Sequence, residues 1–406
     1  MKAKRKAKVR GSVTCAGLLF LLLLYRQARR QVAGGGQGEK AGWRDRLRLV
    51  AVTPRAMALP AGIDDGGLVF WTWFHRVSFL LTGIFTTIMN QVIFYQGVGD
   101  PSTGFISLPT YLGMLSVLIL PVSRTPSAIQ QWKIAGSASA DVCANALCVL
   151  GLQVVGSGVY QVLYSSVVCF TALFSTCLLG KSHSAAQWFG ILAIAFGLAL
   201  TSHDSVPDHP EHGSTFVVGI LVTLMGCIGY ACSYVANEAI LSFKAGTAIV
   251  PQRLCVLVGL YGTLLHLLYI GIFILPHWEE KVVKRIEAAG ATFLFCGLLY
   301  GAQVLSALIH NVAYFHLLCH TGAVSTGVLT ALRAVGVFFA SGFLFCEIHT
   351  TQCLTVYKCA AAFAVAAGTL IYSFGSTQGV SSLVSFVLCV LSVVRALVFA
   401  RASEYK

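Results

Sequence analysis

From Leu68 to about Phe374 the sequence is a succession of long apolar runs broken only by short polar punctuation. That pattern leaves few folds open. A run of about 20 apolar residues crosses a bilayer as a helix, and in hydrocarbon a backbone must satisfy its own N–H and C=O groups, so helices or closed barrels are the only spanning structures. The runs are too long for barrel strands. They place spans at 77–97, 104–122, 135–154, 158–179, 185–202, 215–241, 250–276, 291–318, 322–346 and 352–374, ten in all. The run 380–400 is either an eleventh span or an interfacial helix whose Arg395 snorkels outward. Only 11% of the residues are charged, against about 25% in soluble domains, which excludes a soluble globular protein.

The formal charge of +13 belongs to one end of the chain. Residues 1–76 hold 15 Lys/Arg against 4 Asp/Glu, and residues 77–406 hold 13 against 11. A nucleic-acid surface would interleave basic and aromatic residues on a folded face; this arm is gappy and Gly-bearing, so lipid headgroups are its expected partner and no nucleic acid is. Its short apolar stretch, Val13 to Tyr25, reads as a targeting or anchor signal rather than a span. With the arm cytosolic, the segments facing the cytosol carry 16 Lys/Arg and the opposite loops only Lys281, Lys284 and Arg285, as the positive-inside rule requires.

Ten spans divide into two fives. An odd number per half makes the halves inverted, the architecture of many secondary transporters with a site near the midplane. The division is a 1–67 basic arm, a 68–203 first repeat, a 204–214 lumenal loop, a 215–375 second repeat and a 376–406 hydrophobic segment and tail. The fold class is therefore an all-α polytopic membrane protein with a ten-helix core of two inverted five-helix repeats.

An ionisable residue inside a span costs about 2.5 to 3.5 kcal/mol on insertion scales, so each is a functional candidate. Asp141, Glu238, Arg333 and Lys358 qualify. Asp141 and Asn145 share a helix face, and Thr326, Thr330 and Arg333 form a polar stripe. Gln91, Gln161 and Asn311 are further candidates, although amides also hold helices together. Arg333, midway along its span, is the residue to grip an anion with two parallel hydrogen bonds; Asp141 could gate or take a proton. For each the competing reading is a structural pair or helix cap.

Other motifs carry no chemistry. Gly180-Lys181-Ser182 lacks the glycine and the strand of a phosphate-binding loop. His203 and Asp208, with His209 and His212, sit in a short two-proline loop, so neither catalysis nor a metal site is expected, and no cofactor. His310, His316 and His320 do not all share one face and read as packed polar residues. Of fourteen cysteines, thirteen lie in or beside apolar stretches without C-x-x-C spacing, as small buried hydrophobes do.

The segment from Asp141 to Gly197 resembles the third to fifth helices of the drug/metabolite transporter superfamily, particularly the nucleotide-sugar-transporter-like solute carrier family 35, F subgroup. Asp141, Gln161, Phe170-Thr171, Ser175, Gly180-Lys181 and Gln187 to Ile191 occupy that pattern, and in the second half Asn311, Arg333 and Gly368 to Tyr372 do so. Gln91, Tyr164, Asn237 and Lys358 depart from it. The resemblance implies the drug/metabolite transporter fold, outer positions for spans five and ten, and a carrier that is not an enzyme. The expected function is exchange of an organic, anionic, nucleotide-sugar-like solute by alternating access across Golgi, lysosomal or other endomembranes. The alternative is a non-transporting adaptor or receptor of the same fold. A homodimer is a further expectation.

Overall fold

The computed structural model describes residues 65–120, 131–202, 213–242, 249–346 and 353–375. The basic arm with its Val13 to Tyr25 stretch, the histidine-bearing loop 203–212 and the run 380–400 lie outside the described residues. Those described belong to the compact unit Thr53–Lys406, and every regular element among them is a helix or helical turn.

Helix α1 is Asp65–Tyr95, followed by a 3-10 turn at Pro101–Thr103. Then come α2, Leu108–Ser116, extended by a turn at Val117–Ile119; α3, Gln131–Ser165; α4, Val167–Leu179; and α5, Ala185–Ser202. The second half holds α6, Gly213–Leu241; α7, Pro251–Tyr269, prolonged by a π turn at Ile270–Ile274; the short α8, Lys284–Ala288; α9, Phe293–Phe345; and α10, Val356–Phe374. Among the described residues five segments are apolar and long enough to cross a membrane: Phe70–Tyr95, Gln131–Val155, Phe216–Leu241, Pro251–His277 and Phe293–Phe345. The protein is a polytopic all-α membrane protein.

Two of these helices are pairs of limbs. The Cys227 thiol donates to the Leu163 carbonyl at 3.2 Å, and the Cys148 sulfur lies against neighbouring Gly226. On one straight helix Cys148 and Leu163 would stand about 22 Å apart, so the chain turns back between them. In α9 both His310 and Arg333 reach Gly83, although a straight helix would separate them by about 35 Å. Here the reversal is Gly322, with φ 84° and ψ 167°, a left-handed backbone that favours glycine. The second limb of α3 runs on into α4, Leu163–Leu179 forming one apolar helix; with these counted as one, the described helices other than α8 make ten apolar rods. The first already includes Asp65–Arg76, ahead of the expected start near 77, because 68–76 is itself apolar and aromatic; Arg76 thus lies inside the helix, 8% exposed.

The halves are interleaved. Helix α1 packs along the first limb of α9, α6 along α3, and α5 along α10. The α1–α9 seam is polar: Thr82 Oγ1 lies 3.1 Å from His310 Nδ1, Thr86 Oγ1 3.1 Å from Ser306 Oγ, and Gln303 Nε2 donates to Asn90 Oδ1 at 2.9 Å. The α5–α10 seam runs on small residues. A Cβ on Gly190 would stand 2.7 Å from the Gly368 carbonyl oxygen, and one on Gly197 2.7 Å from the Ala364 Cβ. Phe189, Leu192, Phe196 and Phe363 point outward from this pair, where lipid would cover them, so spans five and ten lie at the periphery as expected.

One expectation needs correction. Cys346 and Cys353 are disulfide-bonded, with Cα atoms 4.5 Å apart. They flank the α9–α10 link, and the short polar segment between them, not an apolar run, brings them together. Of the other described cysteines, Cys148, Cys227, Cys255 and Cys296 are buried as expected, whereas Cys143, Cys177 and Cys359 are exposed.

Candidate functional site

Asp141 stands on the first limb of α3 and turns toward α2 and α6. Its two carboxylate oxygens accept from hydroxyls: Tyr111 donates to Oδ2 at 2.8 Å and Ser233 to Oδ1 at 3.2 Å. One turn along, Asn145 Oδ1 accepts from Ser107, which precedes α2. The face shared by Asp141 and Asn145 is therefore the face that meets α2. The α3–α6 seam continues with Ser137 donating to Asn237 Oδ1 at 2.8 Å. Hydroxyl donors steady a carboxylate without neutralising it, and among the described residues no cation lies in ion-pair range of Asp141.

Arg333 is the counterpart. Its stem packs on Gly83, where the missing side chain makes room, and its guanidinium lies over the Tyr164 ring, 5.7 Å from the centroid. The Nε atom is buried without a hydrogen-bond partner, and among the described residues no carboxylate is in ion-pair range. A guanidinium is always charged. Here the aromatic face supplies part of its stabilisation, and its directional donors stay available.

Between the two charges runs a chain of tyrosines from α3, α6 and α9. Tyr160 stacks on Tyr164 at 5.5 Å, Tyr164 meets Tyr230 edge-on at 5.6 Å, Tyr230 meets Tyr234 at 6.5 Å, and Tyr234 meets Tyr314 at 5.1 Å. Tyr234 lies beside Thr330 and Tyr164 and within electrostatic reach of both Arg333 and Asp141. The result is a wall of rings and hydroxyls with a cation toward one side and a carboxylate toward the other. Such a wall can stack a planar group and hold a charged one.

Of the residues singled out from the sequence, Asp141, Thr330 and Arg333 meet at this cluster, and Asn145 adjoins it through α2. Asn311 is buried and donates to the Ala307 carbonyl of its own helix at 2.8 Å. Gln91 is half-buried on α1, and Asn90 beside it makes the bond to Gln303. Glu238 stands apart, paired with Lys181 next to the Gly322 reversal. The side chains of Gln161 and Lys358 lie outside the described residues. His316 and His320, four residues apart, do share a face and stack at 4.1 Å, with His75 against His316 at 4.0 Å; His310 alone turns away, toward Thr82.

The tyrosines, Ser107, Ser233 and Lys181 were not found from the sequence. The pairs Tyr160/Tyr164 and Tyr230/Tyr234, each one helical turn apart, were the available signal. Lys181 sits just beyond the left-handed Gly180 that caps α4, a helix end rather than a phosphate loop.

Residues 119–269 match the family model described as nucleotide-sugar transporter, a stretch holding Asp141, Tyr164, Ser233 and Glu238. An uncharacterized protein of Schizosaccharomyces pombe is 25% identical over 213 residues, 49% of this chain and 62% of that one. Human solute carrier family 35 member F6 is 28% identical over 218 residues, 50% of this chain and 57% of that one. The UDP-N-acetylglucosamine/UDP-N-acetylgalactosamine transporter nstp-4 of Caenorhabditis elegans is 26% identical over 165 residues, 38% and 48% of the two chains. The chain thus spans 48% to 62% of the length of these relatives. The resemblance read from Asp141 to Gly197 falls within the matched stretch, and the chain is related to nucleotide-sugar transporters and to solute carrier family 35.

Proposed function

We propose that this relative of nucleotide-sugar transporters is a secondary carrier that exchanges an organic anion across an endomembrane by alternating access. A transporter role and an integral membrane location follow from the family. The finer reading rests on one observation: Arg333, a charged side chain inside the membrane, is held on an aromatic ring with no carboxylate partner among the described residues. A buried charge without a partner is costly, and a transported anion would supply that partner. The tyrosines suit the planar base of a nucleotide sugar through stacking. Asp141, steadied by Tyr111 and Ser233, is the candidate for setting the pace of exchange.

Two inverted five-helix repeats are supported by the pairing scheme. The first rod packs on the eighth, the sixth on the third, and the fifth on the tenth. Each relation maps onto itself or its partner when the halves are exchanged. Each half also contains one tight reversal between its third and fourth rods.

The test is exchange by purified protein in liposomes loaded with a nucleoside monophosphate and offered UDP-sugars, other nucleotide sugars, nucleotides, amino acids and organic cations. Exchange restricted to phosphate-bearing solutes is the expected result. No flux with any of them would favour a non-transporting adaptor.

A further inference from the structure

Two ion pairs join the halves, and they are built alike. Lys181, in the α4–α5 link, pairs with Glu238 near the end of α6; Asp100, in the α1–α2 link, pairs with Arg285 of α8. In each a buried carboxylate faces a half-exposed cation: Glu238 and Asp100 side chains are 4% and 8% exposed, Lys181 and Arg285 44% and 48%. A glycine with positive φ lies near each, at Gly322 against the charged groups themselves and at Gly97 against the backbone of α8. A Cβ on Gly322 would stand 2.7 Å from Glu238 Oε1 and 3.1 Å from Lys181 Nζ, and one on Gly97, at φ 78°, would strike the Arg285 carbonyl. The first limb of α9 separates the two places. It begins just after α8 and runs from residue 293 to the Gly322 reversal, a helical length of about 43 Å.

We propose that Lys181–Glu238 and Asp100–Arg285 are the two gates of the carrier, one at each end of the tyrosine cluster, and that transport breaks them in alternation. This rests on the carrier reading above. Alternating access needs closures that bridge the moving halves, hold when dry and let go when wetted. A buried carboxylate loses much if its cation leaves while water stays out. Once water enters, both ions are rehydrated and an exposed pair is worth little. The wiring at each end favours that behaviour. Asp100 Oδ1 accepts from the Ser102 amide at 2.8 Å, so its loop stays ordered when Arg285 departs. Glu238 Oε2 is buried without a hydrogen-bond partner, so Lys181 is what anchors that carboxylate. Burial and the neighbouring Lys181 ammonium hold His183 below its usual pKa, leaving it neutral at pH 7 and the pair without a competing cation there. Both pairs are formed together in this structure, the arrangement of a carrier shut at both ends.

The test uses native thiols as reporters. Cys148 and Cys227 are buried, and Cys148 lies beside Cys227 and Tyr160 at the edge of the tyrosine cluster. Full-length wild type, Lys181→Ala and Arg285→Ala would be treated in sealed, oriented proteoliposomes with an impermeant maleimide from either face, and these two cysteines followed by peptide mass. Each variant is expected to raise their labelling about fivefold, the factor for losing a pair worth about 1 kcal/mol. The two variants should do so from opposite faces. No increase in either, or an increase from the same face in both, would overturn the proposal. Should a single variant fail to assemble, Lys181→Glu combined with Glu238→Lys decides: labelling restored to the wild-type level supports the gate, and labelling as open as in Lys181→Glu alone refutes it. Flux without sided labelling counts against the gates and not the carrier. Sided labelling with no flux of any solute counts against the carrier and not the closures.

Discussion

Arg333 and Asp141 illustrate how a membrane makes single residues legible and conceals their company. A charge in an apolar run stands out because the lipid alternative is so costly, and both side chains do lie beside the tyrosine cluster. Their partners were not readable, because Tyr, Ser and Thr occur throughout these helices and a lipid-facing surface is as apolar as a core-facing one. Tyr164, a departure from the family pattern, is the ring beneath the Arg333 guanidinium. Arg333→Ala should abolish solute binding, measured as loss of the ligand-induced rise in melting temperature, while the protein still elutes as a single species. Arg333→Lys should recover only part of the binding, since an ammonium lacks the planar fork. Tyr164→Leu should weaken binding by about 2- to 30-fold, corresponding to a cation–π contact of about 0.5 to 2 kcal/mol. Asp141→Asn keeps the size and the acceptor for Tyr111, so binding should persist while exchange slows; unchanged exchange in liposomes would return Asp141 to a structural role.

At the scale of helices, the apolar runs put a break near 320, beside the Gly322 reversal. They did not show that α1 already includes Asp65, since His75 and Arg76 interrupt the apolar pattern before residue 77, nor that α2, Leu108–Ile119, is too short to cross a bilayer alone. The α5–α10 seam was legible because small residues at one-turn spacing have few other uses. Gly197→Leu would drive a side chain into Ala364 and the backbone of α10. The expected cost is about 1 to 3 kcal/mol of overpacking, seen as a lower melting temperature and poorer recovery in detergent, with solute affinity unchanged in the folded fraction. A shifted affinity at normal stability would move this seam into the transport path.

For the whole molecule, the surplus of Lys and Arg predicts an orientation with the arm cytosolic. In that orientation the α9–α10 link would face the lumen, an oxidising compartment in which the Cys346–Cys353 bond would persist. An impermeant maleimide should therefore label a cysteine placed at Lys244 only from the cytosolic face, and non-reducing peptide maps of protein taken from cells should contain the joined 346–353 peptide. Labelling of position 244 from the lumen would reverse the topology. The polar seam between α1 and α9 has a bearing on how the protein is made. Thr82, Thr86 and Asn90 enter the membrane early in synthesis, yet Gln303, Ser306 and His310 are translated only after six further rods. Until then Thr82 has the Ser78 carbonyl of its own helix, and Thr86 and Asn90 must wait without their partners across the seam, sheltered by the insertion machinery or by water at the bilayer surface. A ribosome that stops after α5 therefore leaves an orphan for quality control to clear, not half a transporter.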